Sequence, residues 1–164
     1  MLEPLSSLSE GAYFKDVGSN YGSIHGTLVR AYGSDVAWLK RWRGDEAGGA
    51  RLTLAQIPGL EVLKKRWRDC QGALDAYLSY LSDDVLASPL FYVDDDGLRH
   101  FELLADQVLH KVNCSTYYRG QVASMLKRLG SIPKSTDFRS FLGTDDRKGS
   151  SGLLLEHGDV DPAV

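Results

Sequence analysis

Apolar residues along this chain recur at helical spacing in three long stretches. Leu60, Leu63, Trp67, Cys70, Leu74, Tyr77 and Leu81 follow one another at steps of three and four, the repeat that lines up one face of an α-helix. Within Tyr21 to Trp42, residues Leu28, Val29, Tyr32, Val36 and Leu39 form a similar arc, which Trp38 and Trp42 carry to its end. From Phe101 to Leu129 the stripe is Leu104, Val108, Val112, Ser115, Val122, Leu126 and Leu129. At 1.5 Å per residue that last segment is roughly 40 Å long. Three such stretches predict an all-α protein whose helices pack through their apolar faces.

Shorter elements lie between them. Ser7-Leu8-Ser9-Glu10 has the S-x-x-E spacing of a capping box and predicts a short helix from Ser9 to Lys15, followed by a turn at Gly18-Ser19-Asn20. Gly44 to Ala50 reads as a loop, and Pro58 suits the start of the next helix. Leu90 to Val93 and Leu98 to Phe101 flank Asp94-Asp95-Asp96-Gly97, which predicts a small β-hairpin. The Asp run is too short and wrongly spaced for a calcium-binding loop, so its carboxylates read as solvated turn groups. Past Leu142 the run Gly143 to Gly152 has linker composition, giving a domain over 1–142 and a flexible tail over 143–164. Leu153-Leu154-Leu155 is an alternative docking anchor within that tail.

Composition changes this picture little. The 164 residues, 43% hydrophobic and 25% charged, suit one soluble domain with a sizeable core. A net charge of -3 argues against nucleic-acid binding through overall charge. No apolar run is long enough to span a bilayer, and the first residues lack a basic segment followed by a hydrophobic one, so a cytoplasmic protein is expected. Both cysteines are expected as thiols, and Cys70, inside its stripe, reads as a small core residue.

Candidate chemistry gathers on the last long helix. His110, Cys114 and Tyr118 are four apart and share one face. The run His110-Lys111-Val112-Asn113-Cys114-Ser115-Thr116-Tyr117-Tyr118-Arg119-Gly120-Gln121-Val122, followed by Leu129-Gly130, Pro133 and Asp137-Phe138, resembles the signature of the DinB superfamily of metal-binding four-helix bundles. Ser23-Ile24-His25-Gly26-Thr27-Leu28-Val29-Arg30, with Trp38-Leu39 downstream, is similar to that family's S-I-x-G-T-L-x-H helix. The resemblance covers roughly residues 2 to 142 and implies an up-down helical bundle. It also implies a first bundle helix largely missing here, either because the start lies too far downstream or because a genuine short form has its groove covered by a partner or by its own tail. The resemblance further implies dimers, and an activity in which a divalent metal activates a low-molecular-weight thiol for S-transfer or isomerisation.

Three family histidines would hold that metal, and they correspond to Arg30, Cys114 and Tyr118. None is a histidine here. A guanidinium repels a cation and a neutral phenol is a poor ligand, so no metal and no other cofactor is expected. Two readings of the corner stay open. Arg30 stands in for the lost cation beside Tyr118 and a Cys114 thiolate, with Asn113, Tyr118 or the unfavourably directed Asp35 as acceptors; or the three residues merely fill a former pocket. His110 and Cys114 lack an evident third zinc ligand, and His25 points about 140° away from Arg30 around its helix.

Gly120 reads as a close approach of another helix. Lys40, Arg41 and Arg43 close one helix while Lys64, Lys65, Arg66 and Arg68 open the next, and antiparallel packing would gather them at one end. Such a group is a solvated face, or a patch for an anion, an acidic partner or nucleic acid. The functional expectation is a diverged, metal-free binding or interaction protein, a homodimer or bound to another protein, with a small-molecule ligand in the former metal pocket. The alternative is a thiol-dependent S-transferase or isomerase with an altered site. In an isolated monomer, the groove between the Tyr21–Trp42 and Leu60–Leu81 helices is expected to expose apolar side chains.

Overall fold

The computed structural model of this chain describes residues 5, 8–45, 52–94, 96–133, 135, 138 and 139. Two compact units divide it, Met1–Lys134 and Ser135–Val164, and all that follows concerns the first. The expected tail over 143–164 lies outside the described residues.

The elements are α1 (Glu10–Phe14), α2 (Ile24–Trp42), α3 (Leu60–Ser79), α4 (Asp83–Leu86), β1 (Pro89–Val93), β2 (Arg99–Leu103) and α5 (Leu104–Arg128). The protein is thus mostly helical with one small hairpin, as its periodicity predicts. Ser9 caps α1, its hydroxyl accepting from the Ala12 N–H at 3.2 Å, while Ser7 lies outside the described residues. Phe101 belongs to β2, so the last helix starts at Leu104. It stops where Gly130 takes a positive φ of 77° and the Ser131 N–H reaches back to the Leu126 carbonyl at 2.9 Å.

Helix α2 is the centre of the molecule. Ile24, Leu28, Val29, Ala31, Tyr32, Trp38, Leu39 and Trp42 are all buried, so it is apolar around most of its circumference, as a helix with neighbours on several sides must be. Each fully buried side chain of the size of Leu28 contributes about 1.5–3 kcal/mol. Ser23 caps α2 by accepting from the Gly26 N–H at 3.1 Å. A Cβ at position 26 would collide with the Tyr21 carbonyl, so the turn before α2 demands glycine there.

Helices α2 and α3 run in the same direction. Tyr32 lies 6.0 Å from Trp67, and Trp42 stacks on Tyr77 at 5.7 Å, so ten residues along one helix match ten along the other in the same sense. This overturns the antiparallel expectation for the pair, although Lys40, Arg43 and Arg66 of the two basic clusters still line one cleft. The connection must return along the molecule: Leu52 reaches Gly33 and the buried Ile57 lies at His25. The stripe Leu63, Trp67, Cys70 and Leu74 on α3 is buried as expected. The groove beside it is a cleft of about 320 Å³ with Tyr32, Val36 and Leu39 on its walls. Lys40, Arg43, Arg66 and Asp69 line it too, so it is charged as well as apolar.

Helix α5 packs antiparallel to α2, with Trp42 at Gln107, Trp38 at His110, Asp35 at Lys111 and Thr27 at Met125. Its buried side departs from the expected apolar stripe. The departure is partial: Leu104, Val122 and Leu126 of that stripe are buried, but Val112 is 50% exposed, and Gln107, Tyr118 and Met125 are buried outside it. Nothing lies within 4 Å of a Cβ at Gly120, which is therefore not a helix-approach point.

Two buried polar groups tie these elements together. Gln107, fully buried, accepts from the Trp42 indole at 3.2 Å and donates to the carbonyls of Leu90 and Glu102, each at 3.0 Å. One side chain so fixes both strands of the hairpin to α2. Asp35, also buried, accepts from the Trp67 indole at 2.8 Å and pairs with Lys111 at 3.1 Å, linking α2 to α3 and α5.

Removing one member of a buried ion pair strands the other. Lys111→Met is expected to lower stability by roughly 3–5 kcal/mol in urea unfolding, and the double change Asp35→Leu, Lys111→Met to recover much of that loss. An unchanged midpoint for the single variant would contradict the pairing. Gly26→Ala should destabilise in the same assay, through the collision with Tyr21.

Candidate functional site

A cavity of about 290 Å³ lies between α2, α5, the hairpin and Leu52 of the returning connection. One face of α2 supplies Arg30, Gly33, Ser34, Ala37, Trp38 and Arg41. The small residues among them leave room beside the Trp38 ring. Helix α5 contributes His110, Cys114 and Tyr118, and the hairpin contributes Tyr92, Asp94 and His100.

The hairpin reaches the cavity because its strands pair in a defined register, Phe91 opposite Phe101 and Tyr92 opposite His100. Alternation then sends Tyr92 and His100 to one face together, where their rings stack at 4.8 Å. Asp94 closes the turn. Its carboxylate accepts from the N–H groups of Asp96 at 3.0 Å and Leu98 at 2.8 Å, and meets His100 Nε2 at 2.9 Å. The His100 contact, ahead of the two N–H donors, lowers the Asp94 pKa. Among the described residues, Asp94 thus acts as a turn cap, in keeping with its reading as a turn carboxylate.

The aromatic wall is continuous. Trp38 meets Tyr92 edge-on at 5.1 Å and His110 edge-on at 5.4 Å. Arg41 lays its guanidinium over both Trp38, at 4.9 Å, and Tyr92, at 5.3 Å. Arg41 read from the sequence as part of a helix-end basic group, a solvated face or an anion or partner patch, and not as part of an aromatic wall.

Arg30, Cys114 and Tyr118 all line this cavity. Cys114 Sγ lies 3.3 Å from His110 Nε2, one helical turn away. Burial pushes the Cys114 thiol up, and the positive charges of Lys111 and Arg30 only partly offset it. Tyr118 is buried, and burial together with its hydrogen bond to Tyr21 pushes its phenol up to about 12. At neutral pH the corner therefore holds a guanidinium, a neutral thiol and a neutral phenol.

Other expected partners lie elsewhere. Asp35 serves Trp67 and Lys111, and Asn113 is exposed. His25 is buried, its Nδ1 3.0 Å from the Tyr13 hydroxyl, and burial lowers its pKa. Cys70 is a buried core residue whose thiol burial pushes up to about 11.

The donor chemistry of the corner does not fit a divalent cation. A fixed guanidinium charge repels a cation, a phenol is a poor ligand, and His110 and Cys114 alone make at most two. Among the described residues no group of three or more His, Cys, Asp or Glu side chains is placed to hold a metal ion.

The fold and its cavity define a mostly helical protein in which a hairpin closes one end of a small site between two antiparallel helices. The sequence profile of the DinB family matches residues 1–149, and the chain belongs to that family. It is 24% identical over 143 residues to Protein DinB of Bacillus subtilis (strain 168), covering 84% of this chain and 83% of that protein. No helix among the described residues is long and apolar enough to cross a membrane.

Cys114 should alkylate slowly with iodoacetamide at pH 7 and accelerate only as pH rises beyond the ordinary thiol range of about 8.5. Cys70 should respond at higher pH still. Rapid alkylation of Cys114 at neutral pH would show that it is a thiolate.

Proposed function

We propose that this DinB-family protein is a metal-independent binding protein whose small-molecule ligand enters the cavity between α2, the hairpin and α5. One observation carries the reading. The positions that the family resemblance assigns to metal ligands hold Arg30, Cys114 and Tyr118, and these three line one cavity. A permanent cation there opposes the Lewis-acid chemistry that a metal would supply, while leaving a walled, donor-rich space. We place the protein in the cytoplasm, where two free cysteines suit a reducing compartment.

The second reading, an S-transferase-type enzyme with an altered site, draws on the 3.3 Å contact between Cys114 and His110. Burial weighs against it, because a thiol held protonated is a weak nucleophile. We further propose self-association. Phe91 and Phe101 face each other across the hairpin and are both exposed, as are Leu109 and Val112 on α5. Exposed apolar groups of this kind favour a protein partner, and a second copy is the partner proposed.

Purified protein is expected to carry no stoichiometric divalent metal, and its melting temperature to be indifferent to a chelator. One equivalent of nickel or zinc surviving purification, with a melting temperature that falls on chelation, would overturn the metal-free reading. Arg30→His alone should not create a metal site, whereas Arg30→His, Cys114→His and Tyr118→His together should. Light scattering should return the mass of a dimer; a strict monomer would remove the self-association proposal alone.

A further inference from the structure

The cleft between α2 and α3 shares no lining residue with the cavity, and it joins an apolar floor to a charged rim. Tyr32, Val36, Leu39 and Arg43 follow one another along α2 at steps of four, three and four, so they form one straight row about 16 Å long. Tyr32 and Leu39 show only their outer edges, Val36 is half-buried between them, and Cys70 of α3 flanks the row. Lys40, Arg43 and Arg66 stand exposed around this floor together with Asp69. Arg66 lies towards the Tyr32 end, where Trp67 meets Tyr32, and Lys40 and Arg43 lie at the other. Arg43 donates to a neutral group, the Ala73 carbonyl, at 3.4 Å, and Lys40 meets the exposed Asp45 at 3.8 Å. Three positive charges thus share the lining with one carboxylate, that of Asp69.

We infer that this cleft docks an acidic amphipathic helix of a partner protein, its apolar side chains on Tyr32, Val36 and Leu39 and its carboxylates against Arg66 at one end and Lys40 and Arg43 at the other. A row repeating at three and four is matched by a second helix whose own side chains repeat at that spacing. The row spans about three helical turns, enough for a partner to set apolar residues one turn apart between the two basic ends. A nucleic acid would meet Asp69 in the rim, and its phosphate backbone has no apolar side chain to lay on the floor. An uncharged apolar helix would cover the rim cations without answering them, which costs free energy. The chain as a whole carries a net charge of -3, so an acidic partner is drawn to a local basic group and not to the surface at large. The inference is independent of the reading of the cavity.

The test uses the full chain and fluorescent peptides of one length, followed by anisotropy, with ¹⁵N amide signals of Val36 and Leu39 to locate binding. The first peptide repeats Leu at helical steps of three and four with Glu on the remaining faces. In the second, Ser replaces every Leu; in the third, Lys replaces every Glu. Single-stranded oligothymidylate of matching charge is the fourth probe. The Leu/Glu peptide is expected to bind saturably, to shift Val36 and Leu39, and to weaken as salt is raised. The Ser/Glu peptide should bind at least tenfold more weakly, and the Leu/Lys peptide and the oligonucleotide should not bind. Arg43→Glu with Arg66→Glu should weaken the Leu/Glu peptide at least tenfold and gain binding of the Leu/Lys peptide, a gain that a misfolded variant would not show. Arg66→Gln, a change confined to one exposed side chain, should weaken the Leu/Glu peptide about threefold.

Equal affinity for the Leu/Glu and Ser/Glu peptides would remove the floor from the site and overturn the inference. Oligothymidylate binding as tightly as the Leu/Glu peptide would assign the rim to nucleic acid instead. Shifts confined to Phe91 and Phe101 would move the peptide to the hairpin, and charge reversals without effect would count equally against the cleft. Failure of every probe to bind overturns the inference too, and each of these outcomes leaves the cavity reading as it stands.

Discussion

A carboxylate in the middle of α2 must be answered from outside that helix, and the way Asp35 is answered holds the molecule together. One turn away on either side along α2 stand Ala31, Tyr32, Trp38 and Leu39, all apolar and buried, so the helix offers Asp35 no charged partner of its own. Trp67 of α3 and Lys111 of α5 supply an indole N–H and an ammonium from opposite sides. An apolar contact tolerates sliding by a fraction of a turn; a buried ion pair does not, because a shift leaves a charge unsatisfied at high cost. Asp35 therefore fixes how far α3 and α5 are displaced along α2. That register, in turn, sets Arg30 across from Cys114 and Tyr118.

Gln107 does for the hairpin what Asp35 does for the helices. Its amide makes three hydrogen bonds, to Trp42 and to one carbonyl on each strand, which leaves no buried donor of that group unused. The hairpin is two short strands, and such a pair is marginal by itself. Clamped at its base, it presents Tyr92 and His100 to the cavity in a constant posture. The wall that gives the site its aromatic character thus depends on an amide outside the cavity lining.

The helices and the hairpin were legible because each is patterned by one simple rule. Leu63, Trp67, Cys70 and Leu74 face one neighbour, so their spacing says what they do. Helix α5 was harder to read because polar residues, Gln107 and Lys111, stand within its inward side; a search for apolar repeats steps over them to Val112, which is half exposed. The direction of α3 was also missed, although the sequence carried a hint. The connection over 43–59 is much longer than the roughly 2–8 residues that join antiparallel helices. In the site, Arg30, Cys114 and Tyr118 could be named because the family resemblance aligns them, and the structure brings them to one cavity. Arg41 and Tyr92 belong to no motif, and Trp38 entered only in an apolar arc and as the family's downstream Trp-Leu pair, with no role in a site. Their role follows from the seating of the hairpin, which no local pattern encodes.

The parallel course of α2 and α3 bears on how the chain reaches this structure at all. Antiparallel helices joined by a tight turn can find each other as a local unit; these two cannot, since the segment between them must first traverse the length of both. Asp35 and Trp67 are 32 residues apart in sequence, Trp42 and Gln107 are 65 apart, and Thr27 and Met125 are 98 apart. Closing such long loops costs entropy before any contact rewards it. The kinetics of this small bundle should accordingly resemble those of mixed α/β domains more than those of simple helical hairpins, with α2 waiting unpartnered until the far end of the chain arrives.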